Sequence, residues 1–266
     1  MEIESIKDDT KNKKLVFILK GSRVAFANAL RRLVIEEVPT MAIEDVEFRK
    51  NTSALYDEMI ALRLGLIPLK TDLKSYNLPE DCQCKGKGCA QCQLKLILKA
   101  KGPKIVYASE IKSKDPKVKP IFQKTPIVKL LKGQVLEAEM TAILGKGKEH
   151  AKWSPGLVYY KYYPSIKITK KGEACSGCAD VCPQKVFDKK SGKISINEKH
   201  LLDCNLCGAC EELSKGEITI NKEVEDFVFF VESWGQLECK EIMLKASDIL
   251  EKKLDVFEKE LKAKKK

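Results

Sequence analysis

Apolar positions along the chain recur with two different periods, and each period predicts a different kind of element. An apolar run from Leu15 to Leu19, closed by Lys20-Gly21, predicts a first strand and a turn. Alternation of apolar and polar residues predicts further strands over 46–48, 94–98 and 136–142. Strands therefore dominate the middle of the chain.

Two segments have apolar residues every three or four positions instead, which is the period of a helix. The first follows Ser22, a residue type favoured as an N-cap, and stops at Val38-Pro39. Its apolar positions are Phe26, Ala29, Leu30, Leu33 and Val34. The second runs from about Lys240 to Lys262, with lysines and glutamates opposite its apolar stripe. That stripe consists of Ala246, Ile249, Leu250, Leu254, Phe257 and Leu261.

Strand character returns on both sides of a cysteine-rich region. Residues 157–168 read as a strand with a breaker at Pro164, and residues 227–231 read as another strand. With 266 residues, the chain is long enough to bury the cores of two or three modest domains. No apolar run approaches the roughly 18 residues of a membrane span, and the first residues lack a leader pattern. We expect a cytoplasmic protein that does not enter a membrane.

Ten of the eleven cysteines lie in tight clusters, which a reducing cytoplasm would not keep as a disulfide framework. Cys82, Cys84, Cys89 and Cys92 follow a C-x-C-x4-C-x2-C pattern in a loop rich in lysine and glycine. Four thiolates this close in sequence suit a tetrahedral Zn²⁺ site, and glycines allow the tight bends that the site needs. Zinc is the metal that we expect there.

The second cysteine region, residues 175–210, resembles the two halves of a bacterial ferredoxin with two clusters. In that family each half reads C-x2-C-x2-C-x3-C-P, and the fourth cysteine of one half binds the cluster of the other. The resemblance implies one complete iron-sulfur site, formed by Cys182, Cys204, Cys207 and Cys210. A [4Fe-4S] cluster is expected, or a [3Fe-4S] cluster if Cys182 does not bind.

The other cluster of such a ferredoxin is expected to be absent here. Gly172 and Ser214 stand where two of its ligands would be, and neither offers a thiolate. Cys175 and Cys178 remain from that set, either as free thiols or as an oxidisable pair. Cys239 has no neighbouring cysteine and reads as a core residue.

The net charge of +11 and a pI near 9.0 suggest attraction to nucleic acid, but the pattern favours a simpler interpretation. Lysines are spread along the chain among glutamates, and no nucleic-acid recognition motif can be found. We prefer a lysine-rich surface of the kind that suits a thermophile or a subunit docked on an acidic partner. His150 has no nucleophile and carboxylate arranged with it, so no catalytic residue is predicted.

Four stretches in order resemble the alpha-like subunits of RNA polymerase, a family that includes bacterial alpha, its archaeal counterpart called D and the third-largest subunit of eukaryotic RNA polymerase II. They are Phe26 to Arg32 with the following Val38-Pro39, Asp57 to Leu69, Gly145 to Pro155, and Val231 to Gly235 leading into the last helix. Coverage is nearly end to end. The resemblance implies a non-catalytic subunit of a nucleotidyltransferase.

That resemblance also implies partners. A small alpha-like subunit, called L in archaea, would form a heterodimer with this chain, and the small subunits called N and P and the large catalytic subunits would join it. DNA would be contacted only through the holoenzyme. The expected interface residues are Phe26, Asn28, Ala29, Leu30, Arg31, Arg32, Leu33, Ile249, Leu250 and Phe257. Arg31 and Arg32 are candidates for polar contacts with the large subunits.

The fold class expected from all of this is α+β. An alpha-like dimerisation domain is expected over 1–41 and 222–266, with part of 156–168. A mixed β domain carrying the cysteine loop 82–92 would occupy 42–165, and a ferredoxin-like domain would occupy 166–221. The alternative function is a ferredoxin-type electron-transfer protein or a subunit of an oxidoreductase, because the second cysteine pattern is typical of redox proteins.

Overall fold

The computed structural model describes residues 1–190 and 192–263. Residue 191, in the expected ferredoxin-like domain, and residues 264–266, at the end of the expected dimerisation domain, lie outside the described residues. In chain order the elements are β1 (Glu2–Asp9), β2 (Lys14–Lys20), α1 (Val24–Glu36), β3 (Thr40–Asn51), α2 (Asp57–Gly65), β4 (Gln93–Lys101), β5 (Lys104–Tyr107), β6 (Lys112–Ser113), β7 (Pro126–Leu130), β8 (Val135–Gly145), β9 (Gly156–Ile168), α3 (Gly177–Val181), β10 (Phe187–Lys190), β11 (Lys193–Ile196), α4 (Ala209–Leu213), β12 (Ile218–Ser233) and α5 (Cys239–Ala263). The protein is a mixture of helix and sheet in which sheet predominates, as expected.

The chain folds into two compact units. The first comprises residues 1–8, 15–29 and 159–230, and the second comprises residues 9–14, 30–158 and 231–266. Elements β1, β2, α1, β9 and β12 contribute residues to both units. The division into three domains expected from the sequence stays a prediction.

The first unit is built on a four-stranded sheet with the order β1-β2-β12-β9. Aromatic rings join its strands: Phe17 stacks on Phe229 with ring centroids 5.0 Å apart, and Tyr159 stacks on Phe230 at 4.8 Å. Strand β9 continues through Pro164, so the expected break there was wrong. Proline lacks the N–H that a central strand needs, but β9 is an edge strand, where one missing donor is tolerated.

The start of α1 also differs from the expectation. The helix begins at Val24, and the backbone N–H of Ser22 donates to the carbonyl oxygen of Glu225 at 2.8 Å. Ser22 therefore still belongs to the extended chain beside β12, and its assignment as the N-cap was wrong. The helix ends at Glu36, just before Val38-Pro39, as the sequence predicts.

The second unit contains a four-stranded sheet with the order β3-β8-β4-β6 and a two-stranded ribbon of β5 and β7. Strand β8 is antiparallel to both neighbours, and Met140 lies opposite Val46 on β3 and Leu96 on β4. One face of the sheet is buried: Leu96, Leu98, Leu136 and Met140 have no exposed surface. Helix α2 adds Ile60 and Leu64 to this core. The apolar period did not predict α2, because a helix of nine residues buries only these two positions.

The loop from Gly145 to Pro155 packs through its glycines. A Cβ atom at Gly147 would lie 1.9 Å from the carbonyl oxygen of Ile35. One residue later, the N–H of Lys148 donates to the carbonyl oxygen of Glu36 at 2.9 Å. His150 accepts the N–H of Lys152 through Nδ1 at 3.0 Å, which gives this ring a structural partner. The loop is thus held backbone to backbone against the end of α1.

Within residues 1–190 and 192–263, no helix has the length and apolar character that crossing a membrane requires.

The close approach at Gly147 predicts that Gly147→Ala lowers the free energy of unfolding. A methyl group would collide with the Ile35 carbonyl, and forced overpacking of this kind costs about 1 to 3 kcal/mol. Gly65→Ala is the matched control, because its Cβ would meet only the Ile43 oxygen at an ordinary 3.5 Å. Urea titration of both variants would measure the difference, and equal stabilities would contradict the packing described for the loop.

Candidate metal centres

The first cysteine group lies in the second unit, in the loop that leads into β4. Cys82 follows a short helical turn at Pro79–Asp81, and Cys92 immediately precedes β4. The loop between them is tightly turned, with positive φ angles at Lys85, Gly86 and Gly88. At Gly88 the φ angle of 89° lies in the left-handed region, so the backbone itself favours glycine there.

These turns bring the four sulfurs of Cys82, Cys84, Cys89 and Cys92 together. All four Sγ atoms lie within 4.8 Å of one another. The Sγ atom of Cys82 is 3.5 Å from those of Cys84 and Cys89, and Cys92 Sγ is 3.5 Å from Cys84 and 3.8 Å from Cys89. A tetrahedral ion with metal–sulfur bonds of about 2.3 Å requires sulfurs about 3.8 Å apart. The donor set therefore fits a single tetrahedral metal ion.

The thiols of this first group also differ in pKa. Desolvation raises the pKa of Cys84, but the hydrogen-bonding contacts with the thiols of Cys92 and Cys82 outweigh it and lower the pKa to about 6. A backbone hydrogen bond at Cys84 acts to lower the pKa of Cys82, yet burial and the neighbouring thiols raise it to about 12. Burial likewise raises the pKa of Cys92. A bound cation would have to displace protons from Cys82 and Cys92, as its charge favours.

The second cysteine group lies in the first unit and comes from separate local elements. Cys182 follows α3, Cys204 follows a short helical turn at Leu201–Asp203, and Cys210 lies in α4. Cys207 stands between the last two, in a bend made by positive φ angles at Leu206 and Gly208. The structure brings all four to the wall of one cavity.

This cavity is small, with a volume of about 10 Å³, and it is partly open to solvent. Apolar side chains, among them Ile166, Val186, Phe187 and Ile220, form most of the remaining wall. Among the described residues, the first cysteine group alone gathers its sulfurs closely enough for one ion, so the sulfurs of the second group lie farther apart. Wider spacing and an apolar wall suit a multi-iron cluster, whose cysteines bind the outside of a larger body. The donor set fits such a cluster.

Burial changes the acidity of the two buried cysteines of this second group. It raises the pKa of Cys204, and it raises the pKa of Cys210 to about 11. Cys207 is exposed at the rim, and the backbone N–H of Val186 donates to the Cys182 sulfur at 3.4 Å. An N–H directed at sulfur stabilises a thiolate, so the cavity already offers a donor to a bound cysteine.

Gly172 and Ser214 stand where two further cysteines of a two-cluster ferredoxin would be, and both make structural contacts instead. A Cβ atom at Gly172 would lie 2.6 Å from the carbonyl oxygen of Glu217. The Ser214 hydroxyl donates to the carbonyl oxygen of Glu211 at 3.1 Å and accepts the N–H of Ile218 at 2.9 Å. Both groups close the turn around α4, and neither is available to a metal.

Cys175 and Cys178 form a disulfide, so of the two states considered for them the structure has the oxidised pair. Neither residue lines the cavity of the second group, although the Cys178 sulfur lies 3.6 Å from the carbonyl oxygen of Cys210. Cys239 is buried at the start of α5, with its sulfur 3.1 Å from the carbonyl oxygen of Lys13. Its assignment as a core residue is confirmed.

The helices expected to meet a partner differ in what they leave exposed. Leu30 and Leu33 on α1 expose only 6% and 8% of their surface, so they are core residues of this chain. Their neighbours Phe26, Asn28, Ala29 and Arg31 are half-buried, and Arg32 is exposed and ion-paired with Glu36 at 3.2 Å. On α5, Ile249 and Leu250 are half-buried, whereas Leu254, Phe257 and Leu261 are exposed by 59%, 60% and 52%.

Comparisons with known proteins identify the family of this chain. Residues 44–156 match the family described as the RNA polymerase Rpb3/RpoA insert domain. The DNA-directed RNA polymerase subunit Rpo3 of Methanosarcina acetivorans is 38% identical over 253 residues, which is 94% of each chain. The Rpo3 subunit of Archaeoglobus fulgidus is 38% identical over 94% of this chain and 93% of its own length. That of Pyrococcus horikoshii is 41% identical over 89% of each chain.

The similarity therefore extends over almost the whole chain and includes both cysteine regions. The expected membership among the alpha-like polymerase subunits is confirmed, and the relatives that support it carry the name Rpo3. This chain belongs to the family of the DNA-directed RNA polymerase subunit Rpo3.

Proposed function

We propose that this chain is a non-catalytic assembly subunit of DNA-dependent RNA polymerase, in the place that the archaeal alpha-like chain called D would occupy. It would pair with the small alpha-like subunit called L, and the pair would form the platform for the small subunits called N and P and the large catalytic subunits. Such a subunit would work in the cytoplasm. The observation that carries the proposal is full-length similarity to polymerase subunits, with 94% of the chain aligned.

The exposed stripe on α5 supports the pairing. Leu254, Phe257 and Leu261 recur at the spacing of one helix face, and each leaves more than half of its surface exposed. Contiguous apolar surface of this kind is typical of protein interfaces. Because Leu30 and Leu33 are buried in this chain, we assign the main anchors of the pairing to α5, with the half-buried Phe26 and Ala29 on α1 as supporting contacts.

We also propose roles for the two cysteine groups. Cys82, Cys84, Cys89 and Cys92 would hold one Zn²⁺, which would close the loop before β4 as a structural crosslink. Cys182, Cys204, Cys207 and Cys210 would hold one iron-sulfur cluster. The shared cavity of all four favours four ligands, and hence [4Fe-4S], over the three-ligand form. A bound cluster would contribute to folding in a region with a small core of its own.

The alternative, electron transfer by a ferredoxin-like protein, explains only the second cysteine group. Its cavity is compatible with a redox cluster, but the relatives that align over the whole chain are named as polymerase subunits. A structural or regulatory role for the cluster within the polymerase is therefore our proposal.

Pairing through α5 predicts that Phe257→Asp lowers the yield of heterodimer with the small alpha-like subunit about tenfold or more. The charge would be buried in the interface without a partner, whereas the free chain would fold normally because Phe257 is 60% exposed. Co-expression followed by size-exclusion chromatography measures the yield. Lys259→Asp, on the polar side of the same helix, is the control. Leu30→Asp is a poor test, because it would unfold the chain itself.

A closed four-thiolate site predicts about one Zn²⁺ per chain. The double variant Cys89→Ser, Cys92→Ser should lose it, because two of the four ligands are gone. Cys239→Ser changes a cysteine outside the loop and should keep the zinc. Metal analysis by mass spectrometry measures the content, and a double variant that retains one zinc would refute the assignment.

One cluster bound by four cysteines predicts about four irons per chain, lost in Cys207→Ser. Cys207 is exposed, so its replacement leaves no cavity in the core, and the loss of the cluster should loosen residues 170–220. Cys175→Ser is the matched control and should keep its iron, because Cys175 lies outside the cavity wall. Iron should be measured in anaerobically prepared full-length chain. About eight irons, or iron loss in the Cys175 variant, would show that the ligand set is wrong.

A further inference from the structure

The positive charge of this protein is concentrated in one segment. Residues 85–132 contain thirteen lysines and only two acidic residues, Glu110 and Asp115. This excess equals the net charge of +11 of the whole chain, because the other residues carry thirty-six basic and thirty-six acidic side chains. The even mixture of lysine and glutamate expected from the sequence is right for the rest of the chain and wrong for this segment.

All thirteen lysines of the segment are exposed. The two acidic residues do little to neutralise them, because each is held locally. Glu110 is paired with Lys104, and Asp115 accepts hydrogen bonds from the Tyr76 hydroxyl and from the N–H of Lys117, both at 2.8 Å. Lys99 and Lys117 pair with acidic residues outside the segment. For the remaining ten lysines, the described part of the chain contains no ion pair.

The fold brings lysines from different strands to one place. Lys101 is the last residue of β4. The next residue, Gly102, packs closely against the turn that begins at Leu131, because a Cβ atom at Gly102 would lie 2.0 Å from the Leu131 carbonyl oxygen. Lys132 is in that turn. Lys129 on β7 lies opposite Ile105 on β5, in the ribbon that joins the turn. Lys101, Lys129 and Lys132 therefore stand on adjoining strand ends of the second unit. We call the surface formed by these three lysines the lysine face.

The composition of the lysine face distinguishes between two kinds of acidic partner. The segment contains no arginine. Protein interfaces are depleted in lysine and enriched in arginine, whose planar group binds carboxylates through two hydrogen bonds. Lysine serves well as a mobile point charge toward the evenly spaced phosphates of nucleic acid. Because lysine is depleted in protein interfaces, ten exposed lysines without an ion pair fit the evenly spaced phosphates of nucleic acid better than an acidic protein surface.

We propose that the lysine face binds the phosphate backbone of duplex DNA without sequence preference. Contacts of this kind position a protein on DNA and carry no sequence information, which agrees with the lack of a recognition motif. The relatives are subunits of a DNA-directed enzyme, so duplex DNA is the polyanion at hand. The inference replaces the expectation that this chain meets DNA only through other subunits, and it depends neither on the small alpha-like partner nor on the metals.

The test compares two triple variants of the full-length, metal-loaded chain. Lys101→Gln, Lys129→Gln, Lys132→Gln removes three charges from the lysine face. Lys170→Gln, Lys190→Gln, Lys199→Gln removes three exposed lysines from the other unit, so that both variants have the same net charge. Fluorescence anisotropy with a short labelled duplex measures affinity between about 0.05 and 0.2 M salt. Thermal unfolding checks that both variants fold like the parent.

The parent chain should bind duplexes of unrelated sequence equally well. In the first variant we expect affinity at about 0.1 M salt to fall about tenfold and the log–log salt slope to decrease by roughly three, one for each lost phosphate contact. The second variant should change affinity less than about twofold. Equal losses in both variants would overturn the proposal, because binding would then follow net charge alone. Parent binding to polyglutamate as tight as to duplex would assign the face to an acidic protein instead.

Discussion

The second unit depends above all on the register of β8, the strand in the middle of its main sheet. β8 is paired along its length with β3 on one side and with β4 on the other. Because side chains alternate across a strand, a shift of one residue would turn Leu136 and Met140 from the core toward water. β3 follows α1 and β4 follows the cysteine loop, so the same register determines where the helix and the loop join the sheet.

The two cysteine groups differ in how much protein supports them. The loop of Cys82 to Cys92 leads directly into a strand of the large core, so a metal there would hold together a short connection between well-packed elements. The second group belongs to a small cluster of buried residues in which Cys178, Cys204 and Cys210 are themselves members. The segment has little apolar core of its own. A cluster bound there would provide stabilisation that side-chain packing does not.

The distribution of charge separates two kinds of surface on the protein. The α5 stripe of Leu254, Phe257 and Leu261 offers apolar area, which favours a stable protein partner. The lysine face offers exposed positive charge with little internal neutralisation, which favours a partner bound through long-range attraction. A subunit with both surfaces can assemble permanently through one and contact a moving polyanion through the other.

The sequence by itself determined the local structure and the candidate chemistry, because both follow from the spacing of neighbouring residues. Period alone predicted β2, β4, β8 and α5, and cysteine spacing separated the two groups. The apolar pattern missed α2, because so short a helix shows little periodicity. The sequence also placed the start of α1 at Ser22 and a strand break at Pro164, and both were wrong because the neighbouring strands determine the conformation at these positions. Only the tertiary structure decided that Leu30 is core while Phe257 is exposed, that Cys182 lines the same cavity as Cys204, Cys207 and Cys210, and that Lys101 and Lys132 share one end of the sheet. Those facts depend on contacts between residues far apart in the chain, which no local pattern contains.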